Sequence, residues 1–129
     1  AVDGSFKTPG LRNVELNGPY FHHGGKSTLR QSVAFYNHGS DFPENADLAP
    51  LIVPLGLTGT EERDLVAFLI GCTDERVLWE RAPFDHPELF LPNGQNSLGV
   101  DKIERLAATG AAGSAVPIER FLDLDPFSP

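Results

Sequence analysis

The chain has 129 residues with 40% hydrophobic content, which suits a single domain with a modest core. Its formal net charge of -8 argues against binding to nucleic acid or to an anionic membrane surface, and no apolar run approaches the roughly 18 residues of a membrane span. The 13 glycines and 11 prolines predict many loops and little regular structure. We therefore expect the chain to depend for its stability on contacts with a partner, a cofactor or further protein.

Residues 1–20 are predicted to form an extended opening segment, because Pro9 keeps Thr8 out of the helical region. The glycine and proline pairs predict turns at Gly18-Pro19 and again at His23-Gly24-Gly25. The chain is therefore expected to fold back twice before its first helix begins.

An amphipathic helix is predicted to follow these turns. Thr28 and Gln31 have the spacing of a capping box, with Ser27 as an alternative N-cap. One face of the helix then presents Leu29, Val33 and Tyr36 at helical spacing. From geometry alone, Tyr36 is interpreted as a core tyrosine with a satisfied hydroxyl.

A second helix is predicted after a long acidic loop over residues 38–57, which we interpret as solvated. The helix begins at Thr58 or Thr60, with Glu61 in capping-box position, and ends at Gly71. Its expected buried stripe consists of Leu65, Val66, Phe68 and Leu69.

Four segments complete the chain, and together with the two helices they predict a mostly α, loop-rich fold. Residues 74–81 are expected to add a helical turn or two, and APFDHPELFLPNG is expected to be irregular because of its prolines. Residues 98–109 are predicted to form a helix. VPIERFLDL is predicted to form a short helix, which Pro126 ends.

Three stretches, in the same order along the chain, carry a resemblance to a known family. They are FKTPGLRNVELNGPYFHHGG with the following helix that ends in FYN, then LVAFLIGCTDERV, and then APFDHPELFLPNG. They resemble the C-terminal half of the bacterial di-haem cytochrome c peroxidases and of their relative MauG. The resemblance weakens beyond Gln95, so we predict a cytochrome c-like domain portion over residues 1–95 and a C-terminal extension over residues 96–129.

The resemblance implies a second interpretation of Tyr36. In this family, the residue fourteen positions after the His of the PYFH motif is the distal axial ligand of the haem in the C-terminal domain. It is Met in the peroxidases and Tyr in MauG, and counting from His22 gives Tyr36. A phenolate is a hard, anionic donor that favours ferric iron, whereas a Met thioether raises the reduction potential. The sequence is thus MauG-like at this position.

Four further site residues are implied by the same resemblance. Arg12 is expected to pair with a haem propionate through its planar guanidinium, unless it is a surface or loop-bracing residue. His22 is expected near the haem edge. The backbone carbonyls of Asn17 and Pro19 match positions that bind calcium between the two domains of the family, with the remaining ligands supplied from elsewhere. Ligation of another metal by His22 and His23 is disfavoured, because neighbouring side chains on a turn generally diverge.

The sequence departs from the family in lacking the C-x-x-C-H motif that attaches haem c. Its single cysteine, Cys72, is followed by Thr73 and Asp74. The resemblance therefore implies that haem c is held by a part outside this chain. It also implies that this chain is a fragment, a processed product or a separate subunit, and that it is inactive alone. The implied activity is a periplasmic oxidation of an electron donor or protein partner by hydrogen peroxide. The alternative is a non-catalytic binding or scaffold module that has lost haem.

Overall fold

The structure, a computed structural model, describes residues 6–129, and the chain forms two compact units. One unit contains the residues up to Thr73 together with Glu119–Pro129, and the other contains Asp74–Ile118. The extended conformation predicted for residues 1–5 lies outside the described residues. The boundary proposed after residue 95 stays a prediction.

The first unit is built around two helices, α1 (Leu29–His38) and α2 (Gly59–Gly71). A 3-10 turn at Val14–Leu16 interrupts the predicted extended segment, and a second one lies at Phe121–Asp123, where the sequence predicted a short helix. The helices meet at a small core in which three side chains are buried and five others pack against them. The buried ones are Leu29, Val33 and Val66, and the partly buried ones are Val14, Tyr20, Leu69, Ile70 and Phe127.

Helix α1 begins as the sequence predicted, and both Thr28 and Ser27 form hydrogen bonds with Gln31 at its N-terminus. The Thr28 hydroxyl accepts a hydrogen bond from the Gln31 backbone N–H at 3.1 Å, so Thr28 is the N-cap. The Gln31 side chain in turn accepts from the Ser27 backbone N–H at 2.8 Å. The helix ends at His38, and the following Gly39, with a φ of 80°, is the left-handed C-terminal cap.

Helix α2 confirms both predicted ends. Thr58 and Glu61 form a complete capping box, and Gly71 is the last helical residue. The predicted buried stripe is only half covered, however: Val66 is fully buried, whereas Leu65 is 37% and Phe68 59% exposed. The outer part of the stripe is thus apolar surface without a cover among the described residues.

The second unit overturns the prediction of a mostly α fold. It contains only one short helix, α3 (Glu75–Leu78), and an antiparallel pair of strands, β1 (Leu89–Gln95) and β2 (Asp101–Leu106). Strand β2 occupies the segment predicted as a helix over residues 98–109, and β1 lies within APFDHPELFLPNG, which was predicted to be irregular. The described chain is therefore mixed and loop-rich.

The turn between the two strands explains why residues 98–109 do not form the predicted helix. The Asn96 side-chain oxygen accepts hydrogen bonds from the backbone N–H groups of Leu98 and Val100, and Gly99 adopts a φ of 73°. This local closure reverses the chain and pairs Leu89 with Leu106 and Leu91 with Glu104. The apolar residues of 98–109 fit a helical spacing equally well, but the turn makes pairing with β1 available to them.

None of the helices within residues 6–129 has the length and apolar character that crossing a bilayer requires.

Candidate functional site

The tyrosine that the sequence singled out, Tyr36, lies in the last part of α1 with its side chain exposed. The apolar face of the helix is buried at Leu29 and Val33, but Tyr36 is 44% exposed. Among residues 6–129 the Tyr36 hydroxyl has no hydrogen-bond partner. A core tyrosine with a satisfied hydroxyl is therefore not what the structure contains. The phenol oxygen is free to bind a group from outside the chain.

Aromatic rings surround Tyr36 on the side facing the turn before α1. The Phe21 ring lies 6.1 Å from the Tyr36 ring in an edge contact, and the Phe35 ring lies 5.2 Å away at nearly a right angle. Phe21 and Phe35 also touch each other, with their centroids 4.8 Å apart. We call this set of connected rings the aromatic cluster; its members are Phe6, Phe21, His22, His23, Phe35 and Tyr36.

His22 joins the aromatic cluster at its outer end. Its imidazole stacks on Phe6, with centroids 4.1 Å apart, and meets His23 edge-on at 4.7 Å. His23 in turn approaches Phe21 at 6.3 Å. His22 is thus connected to Tyr36 through other rings and not by direct contact, and its own surface is exposed.

The loop that carries three members of the aromatic cluster is closed at its base. Tyr20 and Lys26 form an antiparallel bridge, with the Tyr20 N–H donating to the Lys26 carbonyl at 2.6 Å. The Lys26 ammonium pairs with Asp41 at 2.7 Å and lies 5.9 Å from the centre of the Phe35 ring. The loop is therefore closed by its own backbone bridge, and Lys26 connects it to Phe35 in α1 and to Asp41 after α1.

Asn37, next to Tyr36, ties the end of α1 to the start of α2. Its side-chain amide donates to the Leu57 carbonyl at 3.0 Å and to the Glu62 carboxylate at 2.7 Å, and its oxygen accepts from the Leu57 N–H at 2.6 Å. These bonds use every polar group of the Asn37 side chain. They fix the last turn of α1, in which Tyr36 lies. The sequence analysis missed this role, although Asn in the FYN motif was visible.

The other implied site residues lie on the loop around the first 3-10 turn. Arg12 precedes this turn and is exposed. Asn17 and Pro19 follow it and are exposed, and Pro19 is joined to Gly18 by a cis peptide bond. Their position leaves both carbonyls on a surface loop, where a second protein segment could reach them. The structure records no contact from Arg12, Asn17 or Pro19 to Tyr36.

A buried carboxylate, which the sequence analysis also missed, anchors this loop. Glu15 is 4% exposed; its oxygens accept hydrogen bonds from the Thr73 hydroxyl at 2.9 Å and from Arg120 Nε at 2.7 Å. Burial raises the pKa of the nearby Tyr20 phenol above its ordinary value, and the Glu15 charge raises it further, while Arg120 opposes the shift. The Tyr20 hydroxyl donates to the Glu15 carbonyl at 3.4 Å, so Tyr20, unlike Tyr36, is engaged.

The C-terminal residues supply a second cap for α1. The Arg30 N–H donates to the Pro126 carbonyl at 3.0 Å, and the Thr28 hydroxyl donates to the Ser128 carbonyl at 2.7 Å. The Gln31 amide reaches the Pro129 carbonyl at 3.0 Å. Because the first N–H groups of a helix have no partner within it, the Pro126 carbonyl satisfies one of them, while the Ser128 and Pro129 carbonyls hold the side chains of Thr28 and Gln31 at the helix start.

The donor set suits a ligand role for the phenol better than a site for a free metal ion. Across the described part of the chain, no three His, Cys, Asp or Glu side chains converge as a metal site. A partly exposed phenol beside apolar rings, in contrast, would suit a haem, since tyrosine is among the side chains that hold haem iron. The residues at Tyr36 therefore fit a haem brought from outside the chain.

Comparison with known proteins agrees with the motifs. The chain is 49% identical over 96 residues to a cytochrome-c peroxidase of Denitromonas iodatirespirans, a match that covers 74% of this chain and 23% of that protein. A second cytochrome-c peroxidase of the same organism is 43% identical over 90 residues, covering 68% of this chain and 23% of that protein. The methylamine utilization protein MauG of Paracoccus denitrificans is 38% identical over 95 residues, covering 59% of this chain and 24% of that protein.

These matches span about a quarter of the length of the curated relatives. No family model and no solved structure matches the chain. The matches nevertheless confirm the resemblance that the three motif stretches predicted.

Proposed function

The chain corresponds to a segment of the di-haem cytochrome c peroxidase and MauG family, and from this premise we propose that it forms the distal side of a haem site in such an oxidoreductase. In this proposal the Tyr36 oxygen binds the iron of a haem c whose covalent attachment lies outside these residues. One observation carries the proposal: the residue fourteen positions after His22 is a phenol that is exposed, has no hydrogen-bond partner among the described residues and stands against aromatic rings.

The exposed apolar surface of α2 supports the same proposal. Leu65 and Phe68 are apolar side chains left open on a helix whose other face is in the core. Covering such a side chain contributes on the order of 1.5–3 kcal/mol. In the relatives, most of the protein lies outside the matched segment, and protein of that kind would provide this cover. We infer that the haem-bearing part of the protein packs on this surface.

Each implied residue has a distinct task in the proposal. A bound haem c would supply the iron-centred redox chemistry with hydrogen peroxide, and a redox protein or protein substrate would be oxidised. Tyr36 would hold the iron through its phenolate oxygen, Arg12 would neutralise a propionate, and His22 would order the haem edge. The carbonyls of Asn17 and Pro19 provide two of the six to eight oxygens that calcium needs. The assembled protein is expected in the periplasm.

The first test is the absorbance spectrum and haem stain of the protein purified from its natural source. A Soret band and covalent haem on a polypeptide that contains or binds this chain support the proposal. A protein with no haem would overturn it and favour a non-catalytic binding or scaffold module.

The second test examines Tyr36 in the haem-containing protein. Replacing Tyr36 by Met should raise the midpoint potential of one haem, because a thioether favours ferrous iron relative to a phenolate. Tyr20→Phe is the matched control, since its hydroxyl is already bonded within the chain. Unchanged spectra and potentials in Tyr36→Met would remove Tyr36 from the coordination sphere.

A further inference from the structure

Of the two described aromatic rings that contact the Tyr36 ring, Phe21 is the one from a different part of the chain. Phe35 is the neighbour of Tyr36 in α1, so their contact follows from the helix itself. Phe21 belongs to the loop before the helix, and its ring meets the Tyr36 ring at 6.1 Å with an interplanar angle of 66°. Because the Tyr36 hydroxyl is unbonded within the described chain, the Phe21 edge contact is what restricts the ring from the loop side.

The backbone of Phe21 is held in a conformation that a phenylalanine rarely adopts. Its φ is 65°, in the left-handed region that favours glycine. The surrounding contacts enforce it: the Gly24 N–H donates to the Phe21 carbonyl at 3.1 Å, and the bridge between Tyr20 and Lys26 encloses the loop. Strained residues that are over-determined by their surroundings cluster at functional sites, which directs attention to what the ring contacts.

We propose that Phe21 is a positioning residue for Tyr36, holding the phenol ring in one orientation before any ligand binds. The inference rests on the proposed role of Tyr36 as a haem ligand. An exposed tyrosine ordinarily samples several side-chain rotamers, and binding then has to select one of them. The Phe21 and Phe35 rings, which also touch each other at 4.8 Å, form a packed pair against one side of the Tyr36 ring and exclude the rotamers that would occupy that side.

The first measurement uses the full 129-residue chain without haem. Side-chain NMR of tyrosine-labelled protein reports the rotamer population and ring-flip rate of Tyr36, with Tyr20 as an internal reference. Phe21→Ala keeps a strained non-glycine residue at position 21 but removes the ring. We expect Tyr36 to change from one dominant rotamer to an average of several and its ring-flip rate to rise at least about tenfold. Phe42→Ala, which removes an exposed ring outside the aromatic cluster, should leave Tyr36 unchanged.

If Phe21→Ala does not fold, Phe21→Leu serves in its place, since it keeps apolar bulk without the aromatic edge. The same Tyr36 averaging is expected from it. A Tyr36 rotamer distribution equal to that of the unsubstituted chain, in whichever of the two variants folds, would overturn the positioning role.

The second measurement separates this inference from the proposed function. In the haem-containing protein, Phe21→Ala should shift the absorption band and the midpoint potential of the same haem that Tyr36→Phe alters. If Tyr36→Phe changes nothing, the proposed ligand role fails. If Tyr36→Phe changes the spectrum and Phe21→Ala does not, the ligand role stands and the positioning role of Phe21 is overturned.

Discussion

Glu15 and Arg120 are 105 residues apart in sequence and form an ion pair in the first unit, with Arg120 Nε 2.7 Å from a Glu15 oxygen. The two side chains differ in exposure: 2% for Glu15 and 42% for Arg120. The pair therefore joins a buried anion to a cation that solvent still reaches, and it brings the C-terminal segment back to the loop before α1.

This asymmetry predicts unequal costs for the two single substitutions. Arg120→Met leaves the Glu15 carboxylate buried without its cation and should lower the free energy of unfolding by about 3 kcal/mol, near the lower end for breaking a buried pair. Glu15→Gln leaves Arg120 able to turn to solvent and should cost about 1–2 kcal/mol. Urea unfolding of the full chain measures both.

The double variant Glu15→Gln, Arg120→Met completes this test. It should be more stable than Arg120→Met alone, because no unpaired buried charge remains. Arg76→Met removes the more exposed pair with Asp74 and serves as the control, with an unchanged midpoint expected. Equal losses for the two single variants would contradict the expectation that an unpaired buried Glu15 costs more than an unpaired, solvent-reached Arg120.

The N-caps of the two long helices provide a matched comparison. The Thr28 residue is 3% exposed, and its hydroxyl both accepts from Gln31 and donates to Ser128, whereas Thr58 is exposed and its hydroxyl bonds, among residues 6–129, with Glu61 alone. Thr28→Ala should therefore cost about 2 kcal/mol and Thr58→Ala about 1 kcal/mol. Thr28→Ser retains both hydrogen bonds, so in thermal unfolding it should be nearly as stable as the unsubstituted chain. A larger effect at Thr58 would contradict the role of the C-terminal carbonyls.

Asn37 is expected to be sensitive to both truncation and charge. Asn37→Ala removes three side-chain hydrogen bonds between the ends of α1 and α2 and should cost about 1–3 kcal/mol. Asn37→Asp places a carboxylate against the Glu62 carboxylate and the Leu57 carbonyl, so it should cost more at pH 7 than at pH 4. Denaturant unfolding at the two pH values measures the difference. Asn45→Asp, in the exposed loop, should show little such dependence.

His86 in the second unit is expected to titrate above the usual range. The Pro87 carbonyl beside its Nδ1 raises its pKa most; the Glu80 carboxylate, 3.0 Å from Nε2, adds to the shift, and burial partly opposes it. Because the folded-state pKa is raised, the contribution to stability is fully present below the unfolded value of about 6.5 and is lost as the pH rises through the folded value. NMR titration of the imidazole should show this.

A Glu80→Gln variant tests the carboxylate's share of that shift. Its His86 pKa should fall toward the ordinary value but stay above it, since the Pro87 carbonyl is retained. The same titration of His86 in the unsubstituted chain provides the reference. An unaltered His86 pKa in Glu80→Gln would show that the carboxylate contact does not form in solution.

Local signals in the sequence correctly predicted the two long helices. The hydroxyl of Thr28 and the capping box of Thr58 and Glu61 act over three residues, so their effect is written in the nearby sequence. The same is true of Gly71 as the end of α2. The motif stretches likewise identified the family, because they extend along the chain in a characteristic order.

The predictions were wrong where the structure of a segment depends on residues far away in the sequence. The segment 98–109 becomes a strand because β1 pairs with it, and such pairing cannot be read from the apolar spacing of one segment alone. Leu65 and Phe68 have the helical spacing of core residues, yet they are exposed because nothing in the described chain packs on them.

The sequence by itself determined where α1 and α2 begin, which residue stands fourteen positions after His22, and which family the chain resembles, since these depend on order and short-range contacts. Only the tertiary structure decided that Glu15 is buried against Arg120, that Asn37 joins two helices, and that Phe21 meets the Tyr36 ring. The physical reason is that burial, ion pairing and ring contact depend on residues brought together from distant parts of the chain.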